Sequence, residues 1–494
     1  MDHPIQVSPS LESLDLASAN ALVEQALQYS QTTVGARSEN LLRAIACYQA
    51  ALSVFTETDY PRQWGMIQNN LGAAYRELHG NHEAEHLRQA IPCYQAMLRV
   101  FTEKDDPQLW AEGQNSLGSV YAELPTGDRG ENLQHAIACF RAALRVLSRA
   151  EHAEMWANVQ NNLGTAYSAL PTGDRADNLK HAIACYEAAL GVYFETGRLA
   201  DWAVAQDNLG ITYAKLPTGD RGQNLHHAIS CYDAALGVFT RTEHPERWAT
   251  AQNNLGTAYE MLPTGDPVAN QRKAIACFEA ALLELTETAH PTQWAMIQTN
   301  LGAAYMRLPS EDNGDNIHRA IACFEAALRV RTEADYAAQW ALTQLNLGIA
   351  YSELPSLKER GTNLTKAIAC FEAALRVQAQ GDYLLQWAMT QNALGAAYTQ
   401  LPLGDRLANL HKAVVCYEAA LGVYTESEFP LDWSATEANL GLALEELAEM
   451  TEDRALAERA ANCFDAARRG FTASGLLQEA DDMRTAAEEV RQMF

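Results

Sequence analysis

"WANVQNNLGTAYSALPTGDRADNLKHAIACYEAAL", Trp156 to Leu190, returns almost letter for letter at Trp248 to Leu282 as "WATAQNNLGTAYEMLPTGDPVANQRKAIACFEAAL". Self-similarity at a fixed period marks an array, because a unit too small to bury its own apolar side buries it against a copy of itself. The beat runs far beyond these two stretches. Tryptophan recurs at Trp64, Trp110, Trp156, Trp202, Trp248, Trp294, Trp340, Trp387 and Trp433, and cysteine at Cys47, Cys93, Cys139, Cys185, Cys231, Cys277, Cys323, Cys370, Cys416 and Cys463, each 46 or 47 residues from the last.

Within one period the large apolar residues Trp156, Val159, Leu163, Tyr167 and Leu170 follow a three-and-four spacing that only a helix gathers onto one face. This predicts a first helix, A. Pro171 and Gly173 in "PTGD" stop it, since proline cannot continue a helix and glycine tolerates a left-handed turn. Asp174 is placed to cap a second helix, B, with Asp177 complementing the amino-terminal dipole, and the later copy sets Pro267 at the first helical position after Asp266. Helix B is expected from about residue 175 to about 195, and from Ala182 to Leu190 only Glu187 is polar, so neighbours should enclose most of its girth. Ala182, Cys185 and Ala189 leave room for close approach. Gly164 in helix A does the same, at a propensity cost of about 1 kcal/mol against alanine. Two single-residue insertions fall within residues 354–364 and 448–455, where loops between A and B are expected to absorb them.

Ten such units fit residues 18–474; the first lacks the tryptophan but keeps Tyr29 and "AIACYQAAL". Residues 475–494 carry Leu477, Ala480, Met483, Ala487 and Val490 on one side, as a terminal capping helix with a polar outer face does. Residues 1–17 are expected to form a loosely packed tail. The predicted fold is all-α, about 21 helices and no strand.

The chain has 494 residues, 48% of them hydrophobic and 20% charged, enough to bury a large core. Its net charge of -26, from 36 basic and 62 acidic residues, repels a phosphate backbone and excludes nucleic acid as the expected ligand. The opening "MDHPIQVSPSLESLDLASAN" has neither the basic start nor the apolar run of a secretory signal, and no apolar stretch is long enough to span a bilayer, so a cytoplasmic protein is expected. No CxxC pair occurs, and cysteines at one place in every unit are separated by at least a helix packing distance of about 8–10 Å, beyond disulfide reach. They read as small buried apolar side chains. No cofactor or metal is implied. His135, His181, His226, His227 and His411 on helix B have no serine, cysteine or carboxylate partner at a spacing that compels a triad, and no phosphate loop occurs, so no enzyme is expected.

These residues resemble the tetratricopeptide repeat family, whose pattern of Leu-Gly and Tyr in the first helix, then Ala, an aromatic and Ala-Leu in the second, matches Leu163, Gly164, Tyr167, Ala182, Tyr186, Ala189 and Leu190. The period of 46 exceeds the family's usual length of about 34, and Trp156 stands one helical turn before the family's tryptophan position, here Gln160. The long unit is similar to the kinesin-light-chain variety and to arrays in bacterial signalling proteins that accompany a caspase-like protease or an ATPase domain. The resemblance implies a right-handed superhelical α-solenoid whose concave face is lined mainly by helix A. It also implies a scaffold that binds protein segments there.

Carried across, the family's groove positions fall on the residue before Leu-Gly, Asn70, Asn162, Asn208, Asn254, Asn300, Asn346 and Asn439, and on the one before that, Asn69, Asn115, Asn161 and Asn253. A primary amide offers both a donor and an acceptor, matching the N–H and C=O of an extended peptide whatever its sequence. The same amides can instead tie helix A to its neighbour. The row Gln68, Gln114, Gln160, Gln206, Gln252, Gln298, Gln344 and Gln391 is more uniform still, which suits an inter-helix hydrogen bond. Positions that vary on the same face, such as Met66, Glu112, Asn158, Met296, Leu342 and Met389, would set specificity. Their lining is small, apolar and mixed, and nearby Glu123, Glu260, Glu353, Glu445 and Glu446 outnumber Arg76, Lys215 and Arg307, which favours a neutral or basic protein or peptide segment, extended or helical. Two alternatives are a peptide or small-molecule sensor that works through superhelix shape, and a self-assembling structural protein. A monomer is expected, because a polar terminal helix opposes open stacking.

Overall fold

The computed structural model describes residues 14–32, 36–78, 80, 82–309, 313–355, 358–379 and 383–493. Among them every regular element is a helix, 21 in all, and the chain divides into two compact units at residues 240 and 241. The first unit holds α1 (Leu16–Gln31), α2 (Arg37–Ala51), α3 (Pro61–Glu77), α4 (Glu83–Val100), α5 (Pro107–Glu123), α6 (Arg129–Val146), α7 (Ala153–Ala169), α8 (Arg175–Glu195), α9 (Leu199–Lys215) and α10 (Arg221–Leu236). The second holds α11 (Pro245–Met261), α12 (Pro267–Ala281), α13 (Pro291–Arg307), α14 (Asn313–Val330), α15 (Ala337–Glu353), α16 (Arg360–Gln378), α17 (Leu384–Gln400), α18 (Arg406–Leu421), α19 (Pro430–Thr451), α20 (Arg454–Ala473) and α21 (Leu477–Gln492). The tail expected over residues 1–17 lies, as far as residue 13, outside the described residues, and α1 takes up the rest from Leu16.

Up to α20 the odd-numbered helices are A and the even-numbered ones B. Within each unit an A helix packs on the B helix that follows it, and that B helix packs on the next A, which makes the chain an α-solenoid of stacked helix pairs. A helices also touch the A helix of the next repeat, α3 on α5 and α13 on α15 for example, whereas no B helix meets the next B helix comparably among the described residues. The A helices are therefore the more closely spaced of the two layers in each unit.

The expected punctuation is present. Gly127, Gly173, Gly219, Gly265 and Gly404 have φ of +80 to +84°, and Asp128, Asp174, Asp220, Asp266 and Asp405 each accept a hydrogen bond from the first turn of a B helix. Asn178 adds a device that the sequence pattern does not announce: its Nδ2 donates 2.8 Å to the Thr172 carbonyl and fixes the turn, as Asn132, Asn270 and Asn409 do in their own loops. Residues 356–357, in the first insertion, lie outside the described residues. At the second insertion α19 runs on to Thr451 and ends at Glu452, whose left-handed φ of 53° replaces the glycine turn.

Gly164 faces the ring of Tyr186 on its own B helix, and the equivalent glycines of the other repeats likewise face the tyrosine or phenylalanine of theirs, Gly72 Tyr94 and Gly118 Phe140 for example, so the notch in A receives the large aromatic of B. Trp110 and Trp294 are buried and the other tryptophans half-buried, and several are roofed by arginine. Arg145 lies 5.4 Å over Trp110 and forms a bidentate pair with Glu103, and Arg99 over Trp64 with Glu57 and Arg329 over Trp294 with Glu287 repeat the arrangement. All ten cysteines are free thiols; burial pushes Cys93, Cys139 and Cys185 up to about 11, which keeps them protonated and unreactive. One expectation is corrected. Helix B is not enclosed around most of its girth, because Ala184 and its equivalents Ala276 and Ala322 are exposed on the outer side, where no third layer covers it.

Candidate functional site

The A helices place one row of residues between neighbours and another toward open space. Asparagine fills much of the first row. Asn162 Nδ2 donates to Asn115 Oδ1 at 3.0 Å, Asn300 to Asn253 at 3.3 Å and Asn439 to Asn392 at 3.5 Å, each bond joining one A helix to the A helix before it. The two groove sets read from the sequence are thus brought together, one donating to the other. Asn69, Asn70, Asn115, Asn161, Asn162, Asn208, Asn254, Asn300, Asn346 and Asn439 are half-buried, and Asn253 is 4% exposed. The Oδ1 atoms of Asn162, Asn300 and Asn439 accept nothing among the described residues. The glutamine row makes no side-chain hydrogen bond there either: the inter-helix bonds expected of it fall on asparagines, one and two residues further along the helix.

Because like positions pair, successive A helices run in the same direction, and their N-termini are linked too. Arg62 donates to Asp106 at 2.8 Å, His290 Nε2 lies 3.1 Å from Glu246, and Thr292 meets the Tyr336 hydroxyl at 3.0 Å. Each link spans 44 residues, and its chemistry changes from repeat to repeat.

What faces outward differs between the units. In the first, Gln108, Glu112, Asn115, Glu151, His152, Glu154, Met155 and Asn158 line a polar, acidic hollow of about 700 Å³. In the second the corresponding face is apolar: Met296 is 38% exposed, Leu342 44% and Met389 48% at one register of three consecutive A helices, with half-buried Ala435 at that register on the fourth. Leu385 and Leu431 extend it, and half-buried Ala303, Ile349 and Ala396, with Leu442 49% exposed at the same register, form a second line two helical turns further along.

Carboxylates edge the second face. Burial raises Glu353 above the ordinary carboxylate range, and burial, then Glu449 and Glu489, does the same to Glu445. Burial also raises Glu260, which Arg307 opposes by pairing with it. The histidines of helix B have a packing role: His135, His181 and His227 lie against Tyr121, Tyr167 and Tyr213 with centroids 5.0 to 5.1 Å apart, and Lys273, Arg319, Lys366 and Lys412 cover Tyr259, Tyr305, Tyr351 and Tyr398 at the same register. Among the described residues, no three His, Cys, Asp or Glu side chains converge as metal ligands, and no helix is long and apolar enough to cross a membrane.

No protein-family model matches the sequence, and no curated protein matches it. Solved structures do. The chain is similar to a human IFIT1 dimer with PPP-AAAA, at 14% identity and a TM-score of 0.42 over 97% of this chain and 96% of that one. It is also similar to yeast Tom70, at 13% identity and 0.30 over 96% of each chain, and to Cut9 in the APC/C hetero-tetramer Cut9–Hcn1, at 15% identity and 0.31 over 97% and 96%.

Proposed function

We propose that the chain is a non-catalytic scaffold that holds a segment of another protein along its A-helix face. The observation that carries this reading is the pair of apolar lines on α13, α15, α17 and α19, with Met296, Leu342 and Met389 exposed in one and Leu442 in the other. Contiguous apolar surface left open on a folded protein marks an interaction site, and methionine suits one that must adapt to its partner. The asparagine pairs have a part in this reading. Having donated to one another, Asn162, Asn300 and Asn439 each keep a carbonyl oxygen that can accept from a bound main chain.

A photo-crosslinking residue placed in turn at Asn158 and Leu342 on the A face, and at Val415 on the exposed side of a B helix, tests the assignment in extracts of the source cell. Protein adducts are expected from the A-face positions and not from Val415. Adducts from Val415 alone would reject the face.

A further inference from the structure

The geometry points to an amphipathic helix of another protein, with its apolar ridge edged by lysine or arginine, as the occupant of the α13–α19 face. This rests on the reading that the A side is the binding side, and adds the partner's shape and charge.

Shape comes first. On α15, Leu342 and Ile349 are seven residues apart, as are Met389 and Ala396 on α17 and Met296 and Ala303 on α13. Seven residues of helix rise about 10.5 Å, so the apolar contacts form two lines about one helix diameter apart, with the asparagine row between them as a floor. A cylinder of about 10–12 Å fills that width, whereas a narrow extended strand reaches one line only. Spacing along the ligand agrees. Packed helices stand about 8–10 Å apart, close to the rise of seven helical residues, so a ligand crossing the four A helices meets a new apolar row with the same face each time. A β-strand advances that distance in about three residues and presents alternate faces. The floor is partly satisfied within the protein, Asn300 donating to Asn253 and Asn439 to Asn392, and the carbonyl oxygens left open can accept from polar side chains of the ligand helix.

Charge decides the edge. At the C-terminal ends of these A helices stand Glu353 on α15 and Glu445 and Glu449 on α19, with Glu489 of α21 near Glu445. None of the four forms an ion pair among the described residues, whereas Arg307 and Arg406 at the same edge are engaged, by Glu260 and Glu446. Leu342, Ile349 and Glu353 fall on one stripe of α15 at helical spacing, so the two apolar lines and a carboxylate without an ion pair are presented together. A ligand with basic residues along one flank answers this arrangement, and one with acidic residues opposes it.

The test uses the full chain and three labelled 20-residue helical peptides, read by fluorescence anisotropy. One carries leucines at heptad spacing flanked by lysines. The second has glutamates for the lysines, and the third is the lysine peptide with its leucines scrambled off one face. The first should bind at least about tenfold more tightly than either other peptide. Leu342→Asp with Met389→Asp should weaken it by about tenfold or more while the helical circular dichroism stays unchanged, since both side chains are exposed. Glu353→Gln with Glu445→Gln should weaken it by about threefold and flatten its salt dependence. Equal binding of the glutamate or scrambled peptide overturns the inference, as does indifference to the aspartate pair. A dimer by light scattering that the aspartate pair dissolves also overturns it, in favour of a second copy as occupant. If crosslinks form at Leu342 but the lysine peptide shows no preference, the scaffold reading survives and this one falls.

Discussion

A glycine in the middle of a helix is an anomaly of propensity, and here its reason is a ring. A methyl group at Gly164 would lie 2.9 Å from Tyr186 Cε1, and one at Gly348 would lie 2.5 Å from Phe371 Cε1. Alanine gains about 1 kcal/mol in helix propensity over glycine, while overpacking a tight core costs about 1–3 kcal/mol, so the clash outweighs the gain. Gly164→Ala and Gly348→Ala should both destabilise, Gly348→Ala the more. Because a long array does not unfold in one step, the loss should be read as faster amide exchange confined to α7–α8 or α15–α16. Protection at or above that of the parent would show that the ring yields. The close approach was legible in the sequence, since Gly164 recurs where any side chain would be cheaper. Its partner was not: the spacing cannot say whether a neighbouring repeat or the unit's own aromatic fills the notch.

Between A and B the turn reads plainly as letters, proline to stop, glycine to reverse, aspartate to cap. Its anchor does not. Asn178 reaches back six residues to the Thr172 carbonyl, a bond invisible to helical periodicity because it depends on the turn already being closed. Asn178→Ala should leave that carbonyl without its donor, at about 0.5–1.5 kcal/mol. Exchange should rise across residues 171–178 while α7 stays protected; uniform exchange through the repeat would mean that the bond holds the helix pair rather than the loop. The glutamine and asparagine rows give a parallel lesson. Uniformity favoured glutamine as the inter-helix tie, yet the bonds run from Asn162 to Asn115 and from Asn300 to Asn253, where the shorter amide sits on the line between neighbouring A helices. Conformity to a pattern measures how alike the environments are, not which side chain bridges them.

For the molecule as a whole, period and helix content follow from sequence because each repeat solves the same burial problem. The difference between an acidic hollow on one unit and an apolar face on the other resides in the variable letters, and it acquires meaning only once the A helices are seen side by side. The end of the array obeys the same logic. Helix α21 follows α20 and covers it with Ala480, Ala487 and Val490, each under 10% exposed. The opposite side of α21 carries Asp481, Asp482, Arg484 and Glu488, all exposed. Deleting residues 475–494 should therefore open Phe464 and its surroundings to water and raise exchange first in α19 and α20, then progressively less in α17 and α15, since stability in a stacked array passes from neighbour to neighbour. The first unit, whose core is built from its own helices, should keep its protection unchanged. Loss of protection spread evenly over all repeats would mean that the array folds as one cooperative body, and the nearest-neighbour account of its stability would have to be given up.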